Sequence, residues 1–225
     1  MSRTDIAQRI EAAGVIAILR LADAERIADI AEALAAGGIQ ILELTMTTPG
    51  ALDGIAQLTS RLPASTVVGA GTVLDADAAR ACIDRGARFI ASPVCRPELI
   101  DACHHHDTVV MPGCLTPTEI LIAWSAGADF VKVFPASVVA PAYLRDVHGP
   151  LPDVQLIPTG GIRIADAAQW LRAGAAAIGV GGALVDAAAV AAGSLNTITV
   201  AAQRLVAAVR DARNDGRRAP WSEAR

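Results

Sequence analysis

The sequence predicts an α/β protein built from eight strand–helix units, and three observations lead to this prediction. Short apolar runs recur along the 225-residue chain, each starting about 20 to 26 residues after the one before, the length of a strand, a helix and two loops. Helical patterns with recognisable ends separate these runs. The apolar residues are mostly small and aliphatic, with only 3% aromatic, as in parallel strands buried on both faces. The predicted strands are residues 15–19, 40–44, 66–68, 88–91, 108–111, 130–134, 154–157 and 176–180.

The helix after the first strand shows how the ends are recognised. Asp23 is a candidate N-cap, because its carboxylate can accept a hydrogen bond from a free backbone amide. Ile27, Ile30 and Leu34 recur at helical spacing, and Gly37 is a candidate for the end of the helix.

Two further helix starts carry side chains that can accept backbone hydrogen bonds. Thr116 and Glu119 form a capping box, with Pro117 at the first helical position. Asp75 is a candidate N-cap. Glycines just before several apolar runs are typical of helix C-termini and occur at positions 37–38, 86, 127 and 174.

Alternating strands and helices pair in parallel through right-handed crossovers. Eight units in about 175 residues fit a closed (β/α)8 (TIM) barrel. The alternative, an open doubly wound sheet, usually carries a glycine-rich first turn, and residues 19–23 contain no glycine. We therefore expect one barrel domain over residues 1–214, with a helix before Gly14 that plugs its bottom. Residues 215–225 are expected to be a mobile tail, which includes Arg217, Arg218, Trp221 and Arg225.

Composition excludes several classes of protein. The chain is 53% hydrophobic with a formal net charge of −4, which argues against a disordered chain and against a nucleic-acid-binding surface. Its longest uncharged stretches, residues 173–185 and 187–203, are rich in Ala and Gly, so no membrane span is expected. The N-terminal segment lacks the apolar core of a signal peptide. Four cysteines without a C-x-x-C pair indicate free thiols in a reducing compartment, and we expect a cytoplasmic protein.

Lys132 is the strongest candidate for a catalytic residue. It is the only lysine in the chain and interrupts an apolar strand, VKVFP at residues 131–135. Loss of hydration disfavours the charged form of an amine, and the neutral amine is a nucleophile that forms a Schiff base with a ketone. The alternative interpretation is a lysine that snorkels to solvent or is held in a structural ion pair.

Glu43 lies between apolar residues of the second predicted strand. A buried carboxylate must be protonated, paired or directed into a polar pocket, and such a group can act as a general acid or base. The alternative is a structural ion pair with Arg20, which ends the neighbouring strand. Either interpretation places both residues at the carboxyl ends of the strands, where barrels carry their active sites.

Glycines follow the last two predicted strands. Gly160 and Gly161 come after the seventh strand, and Gly181 and Gly182 after the eighth. Backbone amides at such positions can approach an anion, and barrels commonly bind phosphate at this corner. Tight turns also require glycine, so the pattern alone has a purely structural explanation.

Two clusters of reactive side chains are not expected to form sites. Three consecutive histidines, His104, His105 and His106, end a predicted helix on the opposite face of the barrel. We interpret them as a solvated helix terminus and not as metal ligands. Cys114 lies at the active face without a neighbouring histidine in the pattern, and we interpret it as a pocket-lining thiol.

Six short motifs follow one another along the chain: LELT at 42–45, VGAGTV at 68–73, ASP at 91–93, MPG at 111–113, VKVFP at 131–135 and PTGG at 158–161. In this order and spacing, over about residues 14–185, they resemble the 2-keto-3-deoxy-6-phosphogluconate (KDPG) aldolase family. These are class I aldolases of the Entner–Doudoroff pathway. The resemblance implies a (β/α)8 barrel, commonly assembled as a homotrimer.

The resemblance also implies roles at the reacting end of the substrate. Lys132 would be the Schiff-base lysine and Glu43 the acid and base that moves protons. Thr72 would help to hold the keto-acid carboxylate. Phe134 and Pro93 would pack around the pyruvyl part.

At the other end of the substrate, Thr159 would contact a sugar hydroxyl. Gly160, Gly161, Gly181 and Gly182 would bind the phosphate through their backbone amides. Some members of the family have a serine where this chain has Gly182, so that contact would come from the backbone alone.

Recognition of the substrate carboxylate departs from part of the family. Some members carry an arginine at the position of Thr47, and others have one at the end of the first strand, as Arg20 is here. The resemblance therefore assigns carboxylate binding to Arg20.

The implied reaction cleaves KDPG to pyruvate and glyceraldehyde 3-phosphate, without metal or other cofactor. The same chemistry on 2-keto-3-deoxy-6-phosphogalactonate or 4-hydroxy-2-oxoglutarate is an alternative. Thr159 favours the gluconate epimer, because galactonate-specific relatives have an apolar residue there. A metal-dependent aldolase would need a ligand set at the strand ends, where the pattern offers only Glu43. A non-catalytic phosphosugar-binding barrel would keep the glycines but would need neither Lys132 nor Glu43.

Overall fold

A computed structural model describes residues 1–22 and 24–216 and contains the predicted alternation of parallel strands and helices. The strands are β1 (Val15–Leu19), β2 (Ile41–Thr45), β3 (Val67–Gly71), β4 (Phe89–Ala91), β5 (Val109–Met111), β6 (Gly113–Cys114), β7 (Val131–Val133), β8 (Leu156–Pro158) and β9 (Ile178–Val180). Each of the eight predicted runs overlaps a strand. The fifth run continues past Pro112 into the short strand β6, which the sequence analysis did not foresee as a separate strand. Proline has no N–H to donate, and the strand is interrupted there.

The helices follow the strands in the expected order. They are α1 (Arg3–Ala13), α2 (Ile27–Ala36), α3 (Ala51–Arg61), α4 (Ala76–Asp84), α5 (Pro97–His105), α6 (Pro117–Ser125), α7 (Ala142–His148), α8 (Ala167–Arg172), α9 (Ala187–Ala191) and α10 (Leu195–Gly216). Short 3₁₀ turns lie at Ala136–Val138 and Ile164–Asp166.

Local hydrogen bonds explain several helix starts. The Thr116 hydroxyl accepts the Glu119 amide at 3.3 Å, and the Glu119 carboxylate accepts the Thr116 amide at 2.8 Å, which is the predicted capping box. Asp75 accepts the amide of Ala78 at 2.8 Å, as predicted. The predicted cap Asp23 lies outside the described residues, and α2 begins after Arg26 without a side-chain cap.

All strand pairs in the described residues are parallel and form two sheets, in the orders β5-β4-β3-β2-β1-β9 and β6-β7-β8. The sheets adjoin at two places. Only Pro112 separates β5 from β6, and Thr159, directly after β8, forms a single bridge with Gly179 of β9. The result is an α/β fold of curled parallel sheets.

Two buried apolar clusters hold this fold together. The larger lies between the strands and the helices around them. The smaller joins Ile6 and Ile10 of α1 to side chains near the beginnings of the strands, among them Ile16, Phe89 and Phe130. Gly14, which follows α1, has a φ of 69° in the left-handed region and lets the chain enter β1 directly.

The C-terminal boundary differs from the expected one. Helix α10 continues to Gly216, and Asp215 pairs with Arg172 of α8 at 2.8 Å. The other residues of the predicted tail, 217–225, lie outside the described residues. Among the described helices, none has the length and apolarity needed to cross a bilayer.

Candidate active site

Lys132 and Glu43 face each other from strands that are not neighbours in the sheets. The Lys132 Nζ lies 3.7 Å from Glu43 Oε1. The two residues are only 5% and 2% exposed. Their strands, β7 and β2, belong to different sheets, so the contact crosses the interior of the fold. Glu43 therefore pairs with the lysine, and the alternative pair between Glu43 and Arg20 is not formed.

Glycines on β3 make room for the Glu43 carboxylate. In the register of the sheet Glu43 lies beside Gly69, with Gly71 two residues further along β3. A Cβ atom at Gly71 would lie 1.8 Å from Glu43 Oε1 and 2.4 Å from its Cδ, far inside van der Waals contact. The position of Glu43 thus requires glycine at 71, a role that the sequence analysis did not identify.

Phe134 lies beside the lysine. Its ring centroid is 5.5 Å from Lys132 Nζ, within the range of a cation–π contact when the amine is charged. A Cβ at Gly160 would lie 3.3 Å from the ring, so Phe134 also borders the loop after β8. The ring is half-buried and provides an apolar wall next to the amine.

Thr72, directly after β3, has an unusual backbone conformation. Its φ is 60°, in the left-handed region. Among the described residues other than glycine, only Asp107 also has a positive φ. A β-branched residue is rare in this region, and such strain concentrates at functional sites. The conformation reinforces the prediction that Thr72 belongs to the site.

Pro93 lies in the loop after β4 and is half-buried. The backbone of β6 approaches Pro93 closely. A Cβ placed on Gly113 would lie only 2.4 Å from the Pro93 carbonyl. Gly113 pairs with Lys132 in the sheet. Pro93 is therefore packed one strand away from the lysine.

Thr159 is buried, and its hydroxyl lies 3.4 Å from the Ile157 carbonyl as a hydrogen-bond donor. A Cβ at Gly179 would lie 2.4 Å from the Thr159 Oγ1. Gly179 of β9 thus leaves the space that the threonine side chain occupies.

The glycines after β8 and β9 present unpaired amides. Gly160 and Gly161 have φ values of 95° and 78°, which only glycine adopts readily. In residues 1–22 and 24–216, the amides of Gly160, Gly161 and Gly182 donate no hydrogen bond to the protein. In the described part of the chain, no atom beyond the two adjoining residues lies within 4 Å of a Cβ placed on Gly182. The Gly181 carbonyl begins a turn by accepting the Leu184 amide at 2.8 Å. Such free amides can bind a phosphate.

Arg20 follows β1 and is exposed, and in the described part of the chain its guanidinium makes no ion pair. Near the end of β1 lies a cluster of threonine hydroxyl groups that the sequence analysis did not identify. The Thr48 hydroxyl accepts the Leu21 amide at 3.1 Å, and Thr45 Oγ1 lies 3.1 Å from Thr47 Oγ1 and 3.4 Å from Thr48 Oγ1. The end of β1 and the end of β2 are joined by this hydroxyl cluster.

The three consecutive histidines lie away from this site, at the end of α5. His104 Nε2 is 3.6 Å from Asp129, and His105 Nδ1 is 2.7 Å from the Asp101 carbonyl. The described residues contain no group of three or more His, Cys, Asp or Glu side chains placed to hold a metal ion.

Comparisons with known proteins agree with this arrangement. The family model of KDPG and KHG aldolase matches residues 6–201. A 2-dehydro-3-deoxy-phosphogluconate aldolase from Pseudomonas aeruginosa is 39% identical over 158 residues, 70% of each chain. A probable 2-dehydro-3-deoxy-6-phosphogalactonate aldolase from Rhizobium meliloti is 33% identical over 171 residues, 76% of this chain and 81% of that protein.

A solved structure is also similar. It is the crystal structure of KDPG aldolase from Legionella pneumophila with pyruvate captured as a covalent carbinolamine intermediate. It superposes with a TM-score of 0.82 at 30% identity, covering 88% of this chain and 97% of that one. Fold and site together define an aldolase, a carbon–carbon lyase. The chain belongs to the KDPG and KHG aldolase family.

Proposed function

We propose that the protein is a class I aldolase that cleaves 2-keto-3-deoxy-6-phosphogluconate to pyruvate and glyceraldehyde 3-phosphate. The observation that carries this proposal is the buried contact between Lys132 Nζ and Glu43 Oε1 at 3.7 Å. A lysine that snorkels would be exposed. A lysine beside a carboxylate and an apolar ring has the partners that imine chemistry needs. The reaction belongs to the Entner–Doudoroff pathway.

The reaction begins with addition of the neutral Lys132 amine to the C2 ketone. Glu43 gives a proton to the carbinolamine oxygen, which leaves as water, and a protonated imine remains. Removal of the C4 hydroxyl proton breaks the C3–C4 bond, and its electron pair moves to the imine nitrogen. Glyceraldehyde 3-phosphate leaves. The enamine is protonated at C3, and hydrolysis of the imine releases pyruvate and free Lys132.

Binding the two charged ends of the substrate aligns the bond that breaks. The substrate carboxylate meets Arg20 and Thr72, and Pro93 and Phe134 enclose the pyruvyl carbons. The orientation of Phe134 beside the amine, 5.5 Å from its ring centroid, supports this role.

The phosphate meets the amides of Gly160, Gly161, Gly181 and Gly182, and Thr159 contacts a hydroxyl between the two ends. Support for the phosphate site comes from the free amides of the described loops. A substrate with a carboxylate at one end and a phosphate at the other would use both groups of residues.

The frame of this site is a closed (β/α)8 barrel with α1 as a plug at its bottom. The bridge between Thr159 and Gly179 supports closure. The contacts of Ile6 and Ile10 with side chains of several strands support the plug. The barrel acts as a homotrimer in the cytoplasm. Exposed apolar side chains on α6 and on the turn after β7 support association, since Leu121, Ile122 and Val138 are 47%, 48% and 64% exposed.

A second substrate is the galactonate epimer. The Rhizobium meliloti relative is named as a probable aldolase of that compound. Thr159 favours the gluconate epimer, because a buried hydroxyl can hydrogen-bond a sugar hydroxyl in one configuration better than in the other. Steady-state kinetics on both epimers and on 4-hydroxy-2-oxoglutarate would decide, with the highest kcat/KM expected for the gluconate compound.

Reductive trapping tests the Schiff base. Treatment with pyruvate and borohydride should add one reduced pyruvyl group at Lys132 and abolish activity, and EDTA should not inhibit turnover. Lys132→Ala should show neither the adduct nor cleavage. A wild-type protein that cleaves substrate and stays unmodified under these conditions would refute the mechanism. A protein that binds phosphosugar but neither forms the adduct nor cleaves would be a binding barrel.

A further inference from the structure

The loop after β4 and strand β6 carry two cysteines that the proposed mechanism does not use. Cys95 is half-buried and Cys114 is buried, and both are free thiols. The backbones of the two segments are joined by a hydrogen bond from the Gly113 amide to the Val94 carbonyl at 3.3 Å. This bond brings Cys95 and Cys114 into neighbouring positions, and their thiols are close enough for each to affect the pKa of the other. Cysteines on neighbouring segments can form a disulfide when the segments move enough to bring the two sulfurs to bonding distance.

The cysteine pair is connected to the candidate active site through the backbone. Lys132 donates its amide to the Pro112 carbonyl at 2.9 Å, and Phe134 donates its amide to the Cys114 carbonyl at 3.0 Å. On the other side, Cys95 is two residues from Pro93. A bond between the two sulfurs would therefore fix the Pro93 loop to the strand that positions Lys132.

We propose that Cys95 and Cys114 form a redox-responsive dithiol, which a hydroperoxide converts to a disulfide that lowers the activity of the neighbouring site. The hydroperoxide first oxidises the more exposed Cys95 thiol to a sulfenic acid, and its O–O bond breaks to release water or an alcohol. The Cys114 sulfur then attacks the Cys95 sulfur, the S–O bond breaks, and water leaves. Thiol reductants reverse the reaction. Only the effect on activity rests on the proposed function.

The effect on activity follows from the packing of Gly113. A disulfide brings the sulfurs to about 2.05 Å, much closer than two thiols in contact, so the segments must shift. The Gly113 backbone already lies against the Pro93 carbonyl, with no room even for a methyl group. The shift is therefore transmitted to Pro93 or to the backbone that holds Lys132 and Phe134. Misplacement of reacting groups by a fraction of an ångström to one ångström lowers rates by about 10- to 100-fold.

The electrostatic surroundings determine the speed of oxidation. Burial raises the pKa of the Cys95 thiol, and the Glu119 and Glu98 carboxylates raise it further, against an opposing effect of the neighbouring Cys114 thiol. Burial also raises the pKa of Cys114, with Cys95 and Glu119 adding to the effect. Tyr143 is the other titratable group beside Cys114. Since the thiolate is the reactive form, oxidation should be slow at neutral pH and faster in mildly alkaline buffer.

A peptide map after oxidation tests the disulfide directly. Cleavage before aspartate separates all four cysteines, into peptides 77–83, 84–100, 101–106 and 107–128. After hydrogen peroxide and alkylation of remaining thiols, peptides 84–100 and 107–128 should be linked, with a mass lower by two hydrogen atoms than their sum. Cys95→Ser and Cys114→Ser should abolish the link, and Cys103→Ser should preserve it as the control for a buried thiol.

Kinetics before and after oxidation test the effect on the site. Wild-type kcat/KM should fall by about tenfold or more on disulfide formation and recover with dithiothreitol, and Cys95→Ser should keep its activity in peroxide. A different pairing, or separate oxidation of the two thiols without a link, would overturn the proposal, as would a quantitative disulfide with unchanged kcat/KM. A protein without aldolase activity before oxidation would refute the proposed function, while the peptide map still decides on the disulfide.

Discussion

At the scale of single residues, the candidate site depends on one buried lysine–glutamate pair and on the space around it. Lys132 and Glu43 are the two ionisable side chains among the few buried polar residues of the described chain. Removing one partner of a buried pair leaves the other without compensation. Each residue therefore matters for the other's position as well as for proton transfer.

Glu43→Gln should lower kcat by about 10²- to 10⁴-fold, because the amide keeps the shape of the side chain but cannot donate or accept the proton. Steady-state assays would measure the loss, and circular dichroism should show an unchanged fold. Borohydride trapping of Lys132 with pyruvate should become slower. A variant with wild-type kcat would show that another group moves the protons.

Gly71→Ala should reduce activity by about tenfold or more, since the new methyl group would lie 1.8 Å from Glu43 Oε1 and must displace the carboxylate. Gly149→Ala is the matched control, because its Cβ would make ordinary contacts with the carbonyls of Asp146, at 3.4 Å, and Arg145, at 3.9 Å. Measuring kcat/KM of both variants tests the role of Gly71. Equal activity in the two would contradict it.

Part of the candidate site could be predicted from the residue types in the sequence, and the rest could not. The opposition of Lys132 and Glu43 could be expected, because polar residues within apolar strands of a barrel converge at the same end. The roles of Gly71 and Gly179 could not, because they depend on which side chain enters the space above each glycine. The positive φ of Thr72 and the proximity of Cys95 to Cys114 arise from loop packing, which has no periodic signal in the sequence.

At the scale of elements, hydrogen bonds at the helix ends and interruptions of the strands determine the boundaries. The strand positions were predictable because each buried strand is a short apolar run. The capping box of α6 was predictable because its signal is local, and the Glu119 carboxylate makes the expected contacts. The separation of β6 from β5 was less predictable, because Pro112 can lie at the edge of a strand or interrupt it.

Glu119→Gln should destabilise the protein by about 1 kcal/mol at neutral pH. Hydrogen bonds from the Leu115 amide, the Thr116 hydroxyl and the Thr116 amide hold the pKa of Glu119 below the usual value for a glutamate. A lowered pKa in the folded state stabilises the protein above the unfolded pKa, and this contribution is lost as pH falls through the folded pKa. Urea titrations at several pH values should show the difference from wild type shrinking below about pH 4.

The matched control for this prediction is Glu98→Gln. Glu98 also lies in the first turn of a helix, α5, but its carboxylate makes no hydrogen bond in the described part of the chain. Its replacement should change stability by less than half as much. Equal losses in the two variants would mean that helix-dipole effects, and not the capping hydrogen bonds, account for the stabilisation.

At the scale of the whole molecule, α1 connects the beginnings of several strands through Ile6 and Ile10. Neither sheet alone provides that connection, because the strands form two separate sheets that meet at their edges, near Pro112 and at the bridge between Thr159 and Gly179. The global stability of the fold should therefore depend on a helix that contributes no residue to the candidate site.

Ile10→Ala should cost about 2–5 kcal/mol, because Ile10 is fully buried and its truncation leaves a cavity. Leu74→Ala should cost about 0.5 kcal/mol or less, because Leu74 is 48% exposed and lies outside the proposed association surface. Chemical denaturation followed by circular dichroism measures both. Similar losses in the two variants would show that α1 does not support the interior.

The burial of the only lysine also affects the alkaline chemistry of the whole surface. Apart from Lys132, the basic side chains of the chain that keep their charge at high pH are arginines, and a guanidinium group does not lose its proton in accessible buffers. Electrophoretic mobility should consequently change little in the range where a lysine-rich protein would lose its positive charge. Among the side chains, reagents directed at amines could label only the buried Lys132 and would leave the side chains at the surface unlabelled.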